Sequence, residues 1–200
     1  NWAIALRAQQ FLMLHAAVLE RDGRAPLLPA VPGSGKSTLA AALTLRGWRL
    51  LSDEFGLVDP QTLALVPVPR AIPLKNASIA VIRAFSPLAE LGPVFPKTRK
   101  GDVAHLRPPG ESLRRDREAA QPTWIVFPRY AAGAKLQRQA LTRGHAFQRL
   151  SQNSFNYRLL GATGFAALTA LVQRCPCWRA EYGDLNEIVA AVDELPSPLR

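Results

Sequence analysis

The chain has 200 residues, of which 48% are hydrophobic, a composition that suits one compact domain and excludes disorder along the whole length. Its 25 lysines and arginines outnumber its 15 aspartates and glutamates, so the net charge of +10 favours partners that carry negative charge. No apolar run approaches the roughly 20 residues that span a bilayer, and no N-terminal stretch resembles a signal peptide, so we expect no membrane span and a cytoplasmic location.

The first predicted element is a hairpin. Two apolar runs, FLMLHAAVLE (11–20) and APLLPA (25–30), are separated by RDGR. An Asp-Gly pair in this position favours a tight turn, because glycine supplies the positive φ that a type I′ turn needs. The strand that carries His15 is therefore expected to pair antiparallel with the strand that leads into Ala30.

A phosphate loop is predicted in the stretch AVPGSGKST, from Ala30 to Thr38. It matches the pattern G-x-x-x-x-G-K-[ST] except that Ala30 replaces the first glycine. A glycine-containing loop that opens a helix directs backbone N–H groups at phosphates, a lysine there bridges the terminal phosphates, and the following serine binds Mg²⁺. The predicted ATP-binding residues are Gly33, Ser34, Gly35, Lys36, Ser37 and Thr38, with Ser37 also a metal ligand.

The residues after the loop support this interpretation. The run STLAAALTLR has high helix propensity, and Gly47 is a suitable C-terminal stop. Ala30 is tolerated if its φ is negative, whereas a positive φ would strain it by about 1 kcal/mol. The alternative is that these small residues form a simple surface turn.

Two adjacent carboxylates, Asp53 and Glu54, end the next predicted strand, WRLLSDE. In a parallel sheet that edge would lie beside the phosphate loop. One carboxylate could then bind Mg²⁺ while the other accepts a proton from a hydroxyl group. The alternative is a pair of exposed acids in a turn.

The remaining elements alternate between strands and helices. We expect a hairpin from FGLVD and LALVPVP, a helix in NASIAVIRAF capped by Asn76, and a long mobile functional loop over 86–122. Later elements are the strands TWIVFPRY and CWRAEYG and the helices AFQRLSQNSFNYRLL, GFAALTALVQR and LNEIVAAVDEL, the last capped by Asp184. Phe and Tyr in SFNY are expected in the core. This order predicts an α/β fold with a mixed central sheet, antiparallel hairpins and flanking helices.

Basic residues are concentrated in one stretch, for which a solvated basic loop is the alternative to a binding role. They are Lys97, Arg99, Lys100, Arg107, Arg114, Arg115 and Arg117. The two cysteines, Cys175 and Cys177, are too close in sequence for an easy mutual disulfide, and we expect reduced thiols.

The order of these features resembles the catalytic domain of HPr kinase/phosphorylase, and more closely the HPr-kinase-related kinases (HprK-related kinase A). The resemblance rests on His15, the hairpin, the loop, and Asp53 following Lys36 by 17 positions, together with PLLPAVPGSGKSTLAAAL, SDE, PRAIPLKN, KGDVAHLRPP, SFNY and YGDL. It covers nearly the whole chain. It implies a P-loop kinase with a fold similar to phosphoenolpyruvate carboxykinase, which transfers the γ-phosphate of ATP to a serine hydroxyl, usually of a protein.

By position, the resemblance makes Asp53 the general base, Ser37 a Mg²⁺ ligand and His15 a histidine near the phosphates. Two positions depart from the family. Glu54 stands where HPr kinases have a second Asp, and Val68–Ala71 retains only Arg70 of a Glu-x-Arg-Gly motif. The HPr-docking and phosphorylase segment is not found, so HPr itself is not the expected substrate.

We therefore expect a single kinase domain over 1–200, part of a longer protein because it begins without Met, that uses ATP and Mg²⁺ to phosphorylate a serine of a protein or peptide. Nucleic acid is not the expected partner, and an oligomer is left open. Residues that could stabilise the transferred charge or grip an acidic substrate are Arg70, Lys75, Arg99, Lys100, His105 and Arg107. The alternatives are a small-molecule kinase or ATPase, or a non-catalytic basic binding module with a relic phosphate loop.

Overall fold

A computed structural model describes residues 6–196. These residues form an eight-stranded main sheet, a three-stranded small sheet and flanking helices. In chain order the strands are β1 (Leu12–Glu20), β2 (Ala25–Pro29), β3 (Arg49–Ser52), β4 (Phe55–Val58), β5 (Leu65–Val66), β6 (Ile72–Lys75), β7 (Phe95–Thr98), β8 (Gly101–Leu106), β9 (Pro122–Tyr130), β10 (Gln137–Ala140) and β11 (Cys177–Tyr182). The helices are α1 (Lys36–Leu45), α2 (Ala77–Phe85), α3 (Gly110–Arg114), α4 (Arg143–Gln152), α5 (Tyr157–Arg174) and α6 (Leu185–Asp193).

The main sheet is mixed, as the sequence predicted. Its order is β10-β11-β9-β2-β1-β4-β5, with β3 also paired to β1. Strands β2, β9 and β11 are parallel to one another, whereas β1 pairs antiparallel with β2, β3 and β4. The strand that carries His15 is therefore the central antiparallel strand, beside the parallel half of the sheet.

Helices cover both faces of the main sheet, because consecutive residues of its central strands point to opposite sides and both sides are apolar. On β1, Ala17 and Leu19 pack with helices α1, α2 and α6, while Ala16 and Val18 pack with α4 and α5. The result is a three-layer α/β arrangement. None of the helices within 6–196 combines the length and apolar character needed to cross a membrane.

The turn and helix signals around the phosphate loop are confirmed. Arg21 and Arg24 exchange backbone hydrogen bonds across a turn whose central residues, Asp22 and Gly23, have φ of 53° and 75°. Positive φ at both central positions is the type I′ geometry that Asp-Gly predicted. Helix α1 also ends before Gly47, whose φ is 91°.

The prediction of a long mobile loop over 86–122 is wrong. This stretch contains β7, β8 and α3, and the small sheet has the order β6-β8-β7. Its inner face carries Ile72, Leu74, Ala104 and Leu106, which are buried in the same cluster as helix α1. Proline and basic residues hid the alternation of apolar and polar residues in KGDVAHL, so the strand signal was missed.

Two helix predictions also need correction. The stretch AFQRLSQNSFNYRLL does not form one helix, because α4 ends at Gln152 and α5 begins at Tyr157. Asn76 precedes α2 but does not cap it, since its side chain accepts the N–H of Asp102 instead. The cap at Asp184 is confirmed, with Oδ1 accepting N–H groups from Asn186 and Glu187.

Candidate active site

A cleft of about 1550 Å³ lies between the phosphate loop and the outer face of the small sheet. Arg99 and Arg107, predicted as possible contacts for an acidic substrate or the transferred charge, do not line this cleft, whereas every residue predicted to bind ATP, to bind metal or to act in catalysis does. The predicted residues of those three kinds are His15, Gly33, Ser34, Gly35, Lys36, Ser37, Thr38, Asp53, Glu54 and Arg70. The fold thus brings together residues from four separate stretches of the chain. This proximity does not follow from local propensity or from any single motif.

The phosphate loop has the backbone that its two inner glycines permit. Gly33 and Gly35 have φ of 86° and 88°, a region that residues with a Cβ rarely adopt. Ala30 is not among the residues with positive φ, and its N–H donates to the His15 carbonyl at 3.2 Å. Alanine in place of the first glycine is therefore compatible with this loop, because Ala30 directly follows β2 and still bonds to β1 without a positive φ.

Gly35 is required by packing as well as by φ. A Cβ at this position would lie 2.7 Å from the Tyr182 hydroxyl and 2.9 Å from Cβ of Tyr130. The loop is further anchored by the N–H of Tyr130, which donates to the Ser34 carbonyl at 2.9 Å. The two tyrosines, at the ends of β9 and β11, therefore hold the second half of the loop against the parallel strands.

Lys36 and Asp53 form a buried ion pair at the mouth of the loop. The Nζ atom of Lys36 lies 2.9 Å from Oδ1 of Asp53, and the two side chains are 8% and 5% exposed. The ammonium also donates to the backbone carbonyl of Asp53. Burial raises the pKa of Asp53, and this effect is opposed by the Lys36 charge and by hydrogen bonds from Lys36 and Ser37.

Asp53 reaches the loop by a route that differs from the predicted one. The parallel pairing assumed for its strand is wrong, because β3 pairs antiparallel with β1. Strand β2 is also antiparallel to β1, on the other edge. Strands β2 and β3 therefore run in the same direction, and their C-terminal ends, where the loop and Asp53 begin, lie on the same side of the sheet.

His15 lies on β1 beside the ion pair. Burial is the main reason that its pKa is lowered, and the nearby Lys36 ammonium acts in the same direction. Its ring packs edge-on against Phe155, with ring centroids 5.9 Å apart, and Phe155 also packs on Phe55. These contacts favour a neutral imidazole facing the same cleft as the carboxylate.

The carboxylates do not form a ready-made metal centre. Asp53 and Glu54 sit in the short bend between β3 and β4, and Ser37 lies at the start of α1. Within residues 6–196 no group of three or more His, Cys, Asp or Glu side chains is arranged to hold a metal ion. A divalent cation at this site would therefore need oxygen ligands from a bound molecule or from water in addition to Ser37 and the carboxylates.

A buried hydroxyl in the loop has no partner among the described residues. Ser34 is 9% exposed, and its Oγ atom makes no hydrogen bond in the described part of the chain. An unsatisfied buried hydroxyl costs about 1–3 kcal/mol, which is relieved when a partner binds. This atom is therefore available to bond a ligand that enters the loop.

Residues 153–156, between α4 and α5, were not predicted to belong to the site. Beyond the end of β2, these residues pair with the edge of β1 that β2 occupies elsewhere. The His15 N–H donates to the Asn153 carbonyl, and the Phe155 N–H donates to the Met13 carbonyl. The buried Asn156 side chain bonds the backbone of Met13 and Phe11. Phe155, expected in the core, is 51% exposed beside His15. In the sequence, the only indication that SFNY belongs to the site was its place among the motifs of the family resemblance.

The cleft also has an apolar part that the sequence did not indicate. Val81, Ala84 and Phe85 of α2 line it together with Leu185 at the start of α6. On α2 the buried residues Ile79 and Ile82 face the core, so the opposite side of the same helix faces the cleft. The cleft therefore combines a polar loop with an apolar wall.

The comparison with known proteins adds no family assignment. The chain matches no protein-family model and no curated protein. The family resemblance therefore rests on the motifs and spacing of this sequence.

Proposed function

We propose that the protein is an ATP-dependent kinase, related to the HPr kinases, that transfers the γ-phosphate to a serine hydroxyl of a protein or peptide. The observation that carries the proposal is the buried carboxylate of Asp53, 2.9 Å from the phosphate-loop lysine. A relic loop has no need of a carboxylate at this point. The mixed sheet supports the expected fold, a P-loop kinase similar to phosphoenolpyruvate carboxykinase.

The loop suits a nucleoside triphosphate in three respects. Its two glycines have positive φ, so consecutive N–H groups can converge on phosphate oxygens. The unpartnered hydroxyl of Ser34 lies within it. The apolar wall around Val81 and Phe85 offers a surface for a base within the same cleft.

Mg²⁺ fits the oxygen-rich end of the cleft, where Ser37, Asp53 and Glu54 would hold it together with phosphate oxygens. When bound, the ion neutralises charge on the phosphates. Glu54 stands in for the second aspartate of HPr kinases, one carbon longer and equally charged.

In the proposed reaction, the oxygen of a serine hydroxyl bonds to the γ-phosphorus of ATP, and the bond from that phosphorus to the bridging oxygen breaks, so that ADP leaves. Asp53 accepts the hydroxyl proton. On binding ATP, Lys36 turns from Asp53 to the phosphates and leaves the carboxylate available.

His15 and Arg70 act at the sides of the transferred group in this proposal. A neutral His15 can donate a hydrogen bond to a phosphate oxygen without repelling Lys36. Arg70 lines the same cleft and would stabilise the negative charge that spreads over the phosphate oxygens.

The test compares Asp53→Asn with Asp116→Asn, which removes the same charge from an exposed position outside the cleft. Both variants should bind Mg²⁺-ATP, measured by the rise in thermal stability. Transfer of radiolabelled phosphate from ATP to serine-containing proteins should fall by at least about 100-fold in Asp53→Asn only. Retained phosphate transfer in Asp53→Asn would contradict the role of Asp53 as the base. Binding of nucleic acid, but not of ATP at millimolar concentrations, by the wild-type protein would support the non-catalytic binding module instead.

A further inference from the structure

We propose that the outer face of the small sheet, which carries Lys75, Lys100 and His105, binds an acidic segment of the substrate protein. This inference rests on the proposed kinase function and assigns the chemistry of its acceptor. We call this surface the cationic wall.

The cationic wall faces the phosphate loop because of strand alternation. On β6 and β8, Ile72, Leu74, Ala104 and Leu106 point into the core. The intervening residues Pro73, Lys75, Val103 and His105 are partnered across the sheet, Pro73 with His105 and Lys75 with Val103, and all four line the cleft. Lys100, in the turn between β7 and β8, lines it too.

The charge of the wall is not balanced by the protein. Within residues 6–196, the two lysines of the wall, Lys75 and Lys100, take part in no ion pair. The hairpin of β7 and β8 has one carboxylate, Asp102, whose Oδ1 accepts the N–H of Lys97 at 3.0 Å. Exposed lysines with only one carboxylate in the adjoining hairpin favour a negatively charged ligand in the cleft.

The acids of the cleft lie elsewhere. They are Asp53 and Glu54, beside the phosphate loop, and Asp184, whose carboxylate caps α6. None of these three acids belongs to the small sheet that carries Lys75 and Lys100. An acceptor would place its hydroxyl at Asp53 and its own carboxylates at the wall.

Several hydrogen bonds hold the turn that presents Lys100. The Thr98 hydroxyl donates to the Gly101 carbonyl at 2.7 Å and accepts the N–H of Lys100 at 3.1 Å. Asn76, at the start of α2, bonds Asp102 twice: its N–H donates to the Asp102 carbonyl and its Oδ1 accepts the Asp102 N–H. The basic turn is therefore pre-positioned, which reduces the entropy lost when it binds a ligand.

Backbone strain occurs at this same contact. Asn76 has φ 50° and ψ −125°, and Lys97 has φ 55°, both unusual for residues other than glycine. Such conformations persist where the surrounding structure enforces them, and they are concentrated at functional sites. Strain that fixes the position of a basic turn supports a binding role for that turn.

The cleft is large enough to hold an acceptor beside the nucleotide. Its volume of about 1550 Å³ exceeds the roughly 300–1,000 Å³ of typical small-molecule sites. The wall continues along the sheet to Phe95, which is 53% exposed and packs edge-on against His105. An extended acidic segment could therefore lie along the wall with one serine at the phosphate loop.

The experiment measures binding directly, so that it does not depend on catalysis. The probe is a fluorescent peptide of alternating Glu and Ser, titrated with the protein in the presence of a non-hydrolysable ATP analogue and followed by anisotropy. The variant Lys75→Ala/Lys100→Ala is compared with Arg158→Ala/Arg174→Ala, which removes the same charge from two exposed residues of α5 outside the cleft. We expect the Kd of the peptide to rise at least about tenfold in the first variant and less than about threefold in the second.

A second pair of variants tests the pre-positioned turn. A Cβ at Gly101 would lie 2.2 Å from Oδ1 of Asn76, whereas a Cβ at Gly133, which also has positive φ, meets nothing within 4 Å. Gly101→Ala should weaken peptide binding, and Gly133→Ala should not. Thermal shift with Mg²⁺-ATP should be unchanged in both.

Three results overturn the inference: equal loss of binding in both double variants, equal affinity for a peptide of alternating Gln and Ser, or tighter lysine-dependent binding of a single-stranded oligonucleotide than of the acidic peptide. The proposed kinase function fails separately, by absence of ATP binding or of phosphate transfer. Acidic-peptide binding without ATP binding would therefore contradict the kinase and leave the wall as a protein-binding surface.

Discussion

The ammonium of Lys36 and the carboxylate of Asp53 neutralise each other inside the protein, 2.9 Å apart. Each residue is therefore buried as part of a pair. In the proposed reaction, however, Lys36 binds the phosphates and Asp53 accepts the hydroxyl proton. Removal of one partner leaves the other charge buried and unpaired, which is more destabilising than removal of both.

A double-mutant cycle measures this coupling. Lys36→Met should lower the free energy of unfolding by about 3–5 kcal/mol, because it leaves Asp53 buried without a counter-ion. Adding Asp53→Asn should recover at least about 1 kcal/mol of this loss. Urea denaturation of the four proteins gives the values, and strictly additive effects would contradict a coupled pair.

The unpartnered hydroxyl of Ser34 gives opposite effects on stability and on binding. Ser34→Ala should raise the free energy of unfolding of the nucleotide-free protein by up to about 1 kcal/mol, since a buried unsatisfied group is removed. It should also reduce the thermal shift produced by Mg²⁺-ATP.

The matched control for this prediction is Ser112→Ala. Ser112 is also buried, at 1% exposed against 9% for Ser34, but its Oγ accepts the N–H of Leu50 at 2.9 Å. This variant should destabilise the protein by about 1–3 kcal/mol, because it leaves a buried N–H unpaired. Equal destabilisation by Ser34→Ala would mean that the Ser34 hydroxyl has a partner in solution.

The two loop glycines should differ in their tolerance of alanine. Both have positive φ, so each substitution should cost about 1–2 kcal/mol from backbone strain. At Gly35 the new Cβ also collides with Tyr182 and Tyr130, which adds about 1–3 kcal/mol, whereas at Gly33 it meets open space.

Tyr182→Phe provides the rescue for this prediction. Removing the hydroxyl that lies 2.7 Å from the added Cβ should restore part of the stability of Gly35→Ala. Thermal unfolding of the single and double variants measures the effect. A double variant no more stable than Gly35→Ala would assign its defect to the backbone or to Tyr130.

His15 should make stability depend on pH in a defined direction. Its pKa is lowered from 6.5 by burial and by Lys36, so between the folded and unfolded pKa values the unfolded chain binds more protons. The free energy of unfolding should therefore fall as pH drops below 6.5, and remain level with respect to this group above that value.

Wild type and His15→Gln should be compared by urea denaturation at about pH 7.5 and about pH 5.5. Other groups titrate in both proteins. The difference between the two proteins in the change of unfolding free energy with pH therefore gives the contribution of His15. We expect wild type to lose more stability than the variant on acidification. A larger loss in the variant would mean that the imidazole is charged in the folded protein.

Local signals in the sequence were sufficient for the loop and its neighbours. The Asp-Gly turn, the helix after Lys36 and the cap at Asp184 each depend on interactions within a few residues, and each is confirmed. The juxtaposition of Lys36 and Asp53 was also anticipated, although from a parallel pairing that does not exist. It arises because both preceding strands run opposite to β1.

Long-range pairing was not predictable in the same way. Nothing near SFNY indicates that residues 153–155 complete the edge of β1, because that contact joins segments about 140 positions apart. Asn76 shows the same limit: its residue type predicted a helix cap, but the side chain bonds a hairpin that the sequence did not reveal. In both cases a tertiary partner replaced the local one.

The pairing of residues 153–155 with β1 connects α4 to the central strand of the sheet through hydrogen bonds. The Asn153 N–H bonds the Arg149 and Leu150 carbonyls at the end of α4, and its own carbonyl accepts the N–H of His15. One residue, Asn153, therefore joins the end of α4 to the strand that carries His15 through backbone hydrogen bonds alone.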